Sequence, residues 1–133
     1  MLKFNDLKVG DLVMAEFDGN LKEGEISDVN HEDKQVCVIT GEQDFWYEAD
    51  QIRPIPLDEA QLFKLGFQKE AQPDGSVKYI KGAFRVLIHH PNEFSNFEMW
   101  YREDRRHMKE PIWVHQFQNN YYDMTKVHLT KGA

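Results

Sequence analysis

Apolar and polar residues alternate in short runs through the first 57 positions, and each run ends on turn chemistry. A strand is expected over 11–17, closed by Asp18-Gly19-Asn20, and a second over 23–29, ending at Asn30-His31-Glu32-Asp33. A third, rich in β-branched residues, covers 35–40; after the turn 41–44 a fourth covers 45–48. Strands this short and this closely spaced predict a small barrel.

Pro54-Ile55-Pro56 then removes ladder donors and reads as an edge or a connector. A helix is expected over 58–65. Asp58 can cap it, Gln61 follows three residues later, Leu57 can staple onto Leu62, and Gly66 is a C-terminal stop with Phe67 closing back on the last turn. Strands return over 67–71, 77–80 and 83–89, separated by Gln72-Pro73-Asp74-Gly75 and Lys81-Gly82. A further strand from Phe94 or Phe97 to Tyr101 leads into a charged loop over 102–109. Val114, Phe117, Tyr121 and Met124 recur with the period of an amphipathic helix. Its start is open, because Ile112-Trp113-Val114 also fits the end of a strand; residues 126–129 are compatible with a last short strand.

Lys8-Val9-Gly10-Asp11-Leu12-Val13 places a glycine before a bent meander, an opening that resembles SH3-like and KOW-like barrels. Gly24 stands where the long second strand of such folds often carries a glycine. Pro54-Ile55-Pro56-Leu57, the helix ending Leu65-Gly66-Phe67, and Val114-His115-Gln116-Phe117-Gln118-Asn119 followed by Tyr121 resemble a family of small bacterial proteins, often encoded near phage or mobile-element genes. Phe117 and Trp113 depart from the leucine and the smaller or basic residue that the family pattern usually has. The resemblance covers most of the chain and brings no assigned activity with it.

The chain has 133 residues, 41% hydrophobic and 13% aromatic, enough for a packed core in one domain or in two very small modules. Its net charge of −7 is unevenly placed: residues 1–57 carry −8, and the rest +1. Acidity in the first half opposes phosphate binding there and favours a solvated surface over an interaction face. The single cysteine, Cys37, excludes an intramolecular disulfide and fits a reducing compartment. No stretch is long and apolar enough for a membrane span, and the N-terminus lacks a signal-peptide pattern, so a cytoplasmic location is expected.

Candidate chemistry is sparse. Six histidines are present, but none has a metal-binding spacing, and adjacent His89 and His90 would point to opposite faces of a strand. Cys37 sits in an apolar run, the serines lie outside any nucleophile elbow, and phosphate-cradling loops are absent. No catalytic residue, metal or cofactor is assigned, and a non-enzymatic protein is expected.

Two segments are candidates for binding. On a helix, His115, Gln118, Asn119 and Tyr122 would form a polar stripe opposite Val114, Phe117, Tyr121 and Met124. Such a stripe suits a polar ligand or peptide backbone, and equally the satisfaction of buried strand edges within the same chain. Trp100, Arg102, Arg105 and Arg106 combine an aromatic with cations, as single-stranded nucleic-acid platforms do, although Glu103 and Asp104 dilute the charge. The same loop also suits a solvated surface, a protein contact, or docking on the acidic half of another copy.

The expected fold is α+β and mainly antiparallel: an SH3-like barrel over 1–57, then 58–133 as a short helix, a β-meander and a C-terminal helix, either separate or sharing one core. The expected role is a non-enzymatic accessory protein that binds another protein, with a nucleic-acid-binding factor as the alternative.

Overall fold

The computed structural model describes residues 2–41 and 43–131. Close contacts divide the chain into two compact units, Met1–Ile55 with Trp113–Gln118, and Pro56–Ile112 with Asn119–Ala133. Each contains one antiparallel five-stranded sheet among the described residues.

In the first unit the strands are β1 (Leu12–Phe17), β2 (Asn20–Asn30), β3 (Gln35–Thr40), β4 (Gln43–Glu48) and β5 (Ile52–Arg53), in the order β4-β3-β2-β1-β5. Asp18 and Gly19, with φ of 52° and 78°, make the two-residue turn that pairs Phe17 with Asn20. Alternation sets the register: Val13, Ala15, Ile26, Val36, Val38 and Tyr47 share one core with Leu2, Leu7 and Ile52. A one-residue slip would turn these side chains to the opposite face.

The SH3-like barrel expected over 1–57 is not formed. β4 and β5 lie at opposite edges of an open sheet and do not pair with each other. Closure needs two long edge strands that meet with a matched stagger. Here β5 has only two residues, and Pro54 follows it without an N–H to continue the ladder.

The second unit holds helix α1 (Glu59–Lys64) and strands β6 (Gln68–Ala71), β7 (Val77–Lys81), β8 (Phe84–Ile88), β9 (Phe97–Tyr101) and β10 (Asp104–Met108), in the order β10-β9-β8-β7-β6. Asp58 caps α1 by accepting from the Gln61 N–H at 2.9 Å. Gly66, at φ 92°, lets the chain turn so that the Phe67 N–H reaches the Leu62 carbonyl at 3.0 Å. The core is aromatic: the Tyr121 ring lies 4.7 Å from Phe84, and Phe67 lies 6.0 Å from Phe84.

The structure is therefore the expected strand-rich α+β fold, with a β-meander and a C-terminal helix, α2 (Val114–Thr125). The Gln116 side chain accepts from the Trp113 N–H at 2.9 Å and so fixes the start of α2. Residues 126–129 form no strand. The charged segment expected as a loop over 102–109 is instead a hairpin arm. Arg102, at φ 56°, and Glu103 make a two-residue turn, after which Asp104 to Met108 pair with β9. Charge conceals this strand because two of its three inward-facing positions are Asp104 and Arg106, the arginine being satisfied by polar partners on α2.

Candidate functional site

The outward face of the second sheet is built by the same alternation that builds its core. Phe84, Val86 and Ile88 are buried, so Arg85 and Leu87 turn to the opposite face; Phe97 and Met99 are buried, so Glu98 and Trp100 do the same. Register then sets Arg85 beside Trp100 on one side and Arg105 beside it on the other. The Arg105 guanidinium lies 3.9 Å above the Trp100 ring, and its Nε is 3.6 Å from a Glu98 carboxylate oxygen.

Next to Trp100 the face opens into a shallow cleft of about 300 Å³ lined by Lys78, Ala83, Arg85, Trp100 and Arg102. Arg85 is anchored by bonds from Nη1 to the Gly82 and Phe84 carbonyls, at 2.6 and 3.2 Å. Arg102 rests against the Tyr101 ring at 5.1 Å. Among the described residues no carboxylate closes an ion pair on Lys78, Arg85 or Arg102. Three cations without an ion-pair partner thus stand beside an indole, with Glu70 across the ladder from Lys78, a combination whose chemistry suits an anionic group on an apolar or planar stem.

Of the four residues the sequence singles out here, Trp100 and Arg102 line the cleft and Arg105 flanks it. Arg106 does not join them. It lies on the inward face, where Nη1 donates to Asn120 Oδ1 at 2.9 Å and faces Asp123 at 3.9 Å, with Nη2 3.7 Å from Asp104. Lys78 and Arg85 are the additions. The signal that places them is the period-two pattern of β7 and β8 carried across two hairpins, rather than proximity in sequence to Trp100.

The second candidate segment does not form an exposed polar stripe. His115 and Gln118 are buried, at 2% and 4% exposure, in the first unit, whereas Asn119 is half-buried in the second. Gln118 accepts from the Leu12 N–H and donates to the Gly10 carbonyl, both at 2.8 Å. The carboxamide thus pairs backbone groups at the start of β1, a structural task. His115 Nδ1 has no hydrogen-bond partner, and burial holds the imidazole pKa below its ordinary value against the opposing pull of Asp6.

Among the described residues, no group of three or more His, Cys, Asp or Glu side chains is placed to hold a metal ion. Among the same residues no helix is long and apolar enough to cross a membrane. Comparison of the chain with protein-family models, with curated proteins and with solved structures finds no match.

Proposed function

We propose that this protein is a non-enzymatic binding module that docks an acidic segment of a partner protein on the outward face of its second sheet. The observation that carries the reading is the cleft in which Lys78, Arg85 and Arg102 surround one flank of Trp100, none of them in an ion pair among the described residues. A partner Asp or Glu would form charge-assisted hydrogen bonds with the anchored Arg85, while an adjacent apolar side chain covers the indole. The single cysteine supports a reducing, cytoplasmic setting, and the Pro54-Ile55-Pro56-Leu57 and Val114–Asn119 segments support kinship with the bacterial family they resemble.

Single-stranded nucleic acid is the second reading, favoured by the indole among cations. A strand-binding platform uses successive aromatics along a continuous basic track. Here there is one half-buried ring on this face, with Glu98 beside it and Glu103 in the adjoining turn, in a chain of net charge −7. These features favour the protein partner.

Titration of the intact protein with an oligoglutamate peptide carrying one aromatic residue, and separately with oligothymidylate, tests the choice. Binding of the peptide that weakens about tenfold in Arg85→Gln/Arg102→Gln and fades with added salt supports the reading. Preference for oligothymidylate moves nucleic acid to first place, and saturation by neither probe removes this face as a binding site.

A further inference from the structure

We infer that β4 is an open pairing edge that takes up an extended strand from a partner protein, one with basic residues on one face and apolar residues on the other. This surface is separate from the cleft and does not depend on it.

The four sheet edges are not alike. β10 carries Arg105 and Arg106, β6 carries Lys69, and β5 is two residues long; these are the usual devices that discourage edge pairing. β4, Gln43–Glu48, is neither short nor basic, and its only charges are the acidic Asp44 and Glu48. It spans six residues without proline, lysine or arginine, and it pairs with β3 in unbroken register from Gln35↔Glu48 to Thr40↔Gln43. On its far side no strand follows among the described residues. It also exposes two large aromatics, Phe45 at 40% and Trp46 at 46%. Exposed apolar surface beside an unpaired ladder is the arrangement that strand-adding peptides use, with main-chain bonds for affinity and alternate side chains for specificity.

The alternation of β4 states what the incoming strand must carry. Asp44, Trp46 and Glu48 share one face, and Asp44 lies 3.7 Å from Cys37 Sγ on that face. Phe45 and Tyr47 share the other, where the Phe45 ring stacks on Phe17 at 5.1 Å. Two carboxylates flanking an indole call for Lys or Arg across the strand gap, and the phenylalanine pair calls for Val, Ile or an aromatic. Residues 1–57 hold 13 acidic and 5 basic residues, so the surrounding field attracts the same cationic partner.

The probe is an alternating Lys-Val heptapeptide added to the intact protein, with binding followed by Trp46 fluorescence against a Trp46→Phe control and by amide exchange along the chain. The expected result is saturable binding that protects amides within 43–48, falls with salt, and weakens about tenfold or more when alternate peptide nitrogens are methylated to remove their donors. A Glu-Val peptide of the same length should not compete. Equal binding by the methylated peptide, protection elsewhere on the chain, or no saturation overturns the inference. So does protection of 43–48 that grows with protein concentration alone, since the edge would then be filled by a second copy. Phe45→Lys, which adds the missing edge cation, should abolish binding while its circular dichroism remains that of the parent.

Discussion

The Gln118 carboxamide holds the Leu12 backbone: its Oε1 accepts the Leu12 N–H at 2.8 Å, while its Nε2 donates to the carbonyl of Gly10 two residues earlier. A single side chain from α2 therefore pairs backbone groups on both sides of Asp11. Gln118→Ala leaves that donor buried and that acceptor half-buried without their partner, and a loss of about 1–3 kcal/mol is expected. Gln118→Glu keeps the acceptor but sets a carboxylate against the Gly10 carbonyl, so its deficit should shrink on acidification. Urea midpoints at pH 7 and pH 5, at constant slope, check both.

Asp11 itself is 3% exposed, and burial raises its pKa from 3.8 to about 7, against the lowering effects of the Lys8 N–H at 2.9 Å and the Lys8 charge. A carboxyl that is a weaker acid in the folded state stabilises the fold fully below the unfolded pKa, and that contribution is lost as pH rises through 7. Asp11→Asn keeps an acceptor for Lys8 and carries no charge. It should be more stable than the parent by about 1–3 kcal/mol at pH 8.5, with the gap closing towards pH 4. A gap that is flat across this range would show that Asp11 titrates alike folded and unfolded.

His115 has the opposite sign. Its folded pKa lies below 6.5, so its stabilising contribution is present above that pH and disappears as pH falls through the lowered value. Because Nδ1 is already without a partner, His115→Leu removes a buried polar atom at little cost in volume. Relative to that variant, the parent should lose up to about 1.4 kcal/mol per pH unit below pH 6.5. Paired denaturant titrations between pH 7 and 4.5 measure the difference directly.

These side chains also mark what is legible in the primary structure. Turn and cap chemistry is local, so Asp58, Gly66 and the Asp18-Gly19 turn are readable from neighbours a few residues away, and the meander with its final helix follows. Barrel closure is not local. It depends on whether β4 and β5 meet, and a strand of two residues before Pro54 looks in sequence like the tail of any strand. The role of Gln118 rests on bonds to residues 106 and 108 positions away, which no helical period reveals. The cleft falls between these cases. Trp100 and Arg102 stand out as an aromatic among charges, but Arg85 joins them only through the register of β8 on β9.

Arg106 and Arg102 are four residues apart and should respond oppositely to truncation. Arg106→Ala removes the bond to Asn120 and exposed pairings to Asp104 and Asp123, so a modest loss of about 1 kcal/mol in stability is expected, with acidic-peptide binding close to that of the parent. Arg102→Ala removes a cation that lines the cleft and has no carboxylate partner; stability should change by less than about 0.5 kcal/mol while peptide affinity drops. Denaturant midpoints and peptide titrations on the same two proteins separate the roles. Equal losses of affinity would place Arg106 in the binding surface after all.

Gly24 tests why the first sheet is shaped as it is. It sits opposite Val13 in β2, and a Cβ there would lie 2.6 Å from both the Ile39 carbonyl oxygen and Val38 Cγ1, and 2.8 Å from Thr40 Cγ2. Its φ is outside the left-handed region, so the requirement is for space rather than backbone freedom. One of the close atoms is backbone oxygen on β3 and cannot rotate away, so relief requires β2 and β3 to separate. Gly24→Ala is expected to cost about 2–3 kcal/mol, more than the roughly 1 kcal/mol that alanine gains in conformational entropy can offset. The strain falls on the β2–β3 ladder, which carries β4 at its edge, so amide exchange should rise over 35–40 and 43–48 before the second unit changes. An alanine variant with parental stability and exchange would mean that the two strands already have the freedom to move apart, and that the close approach at Gly24 does not hold β3 in place.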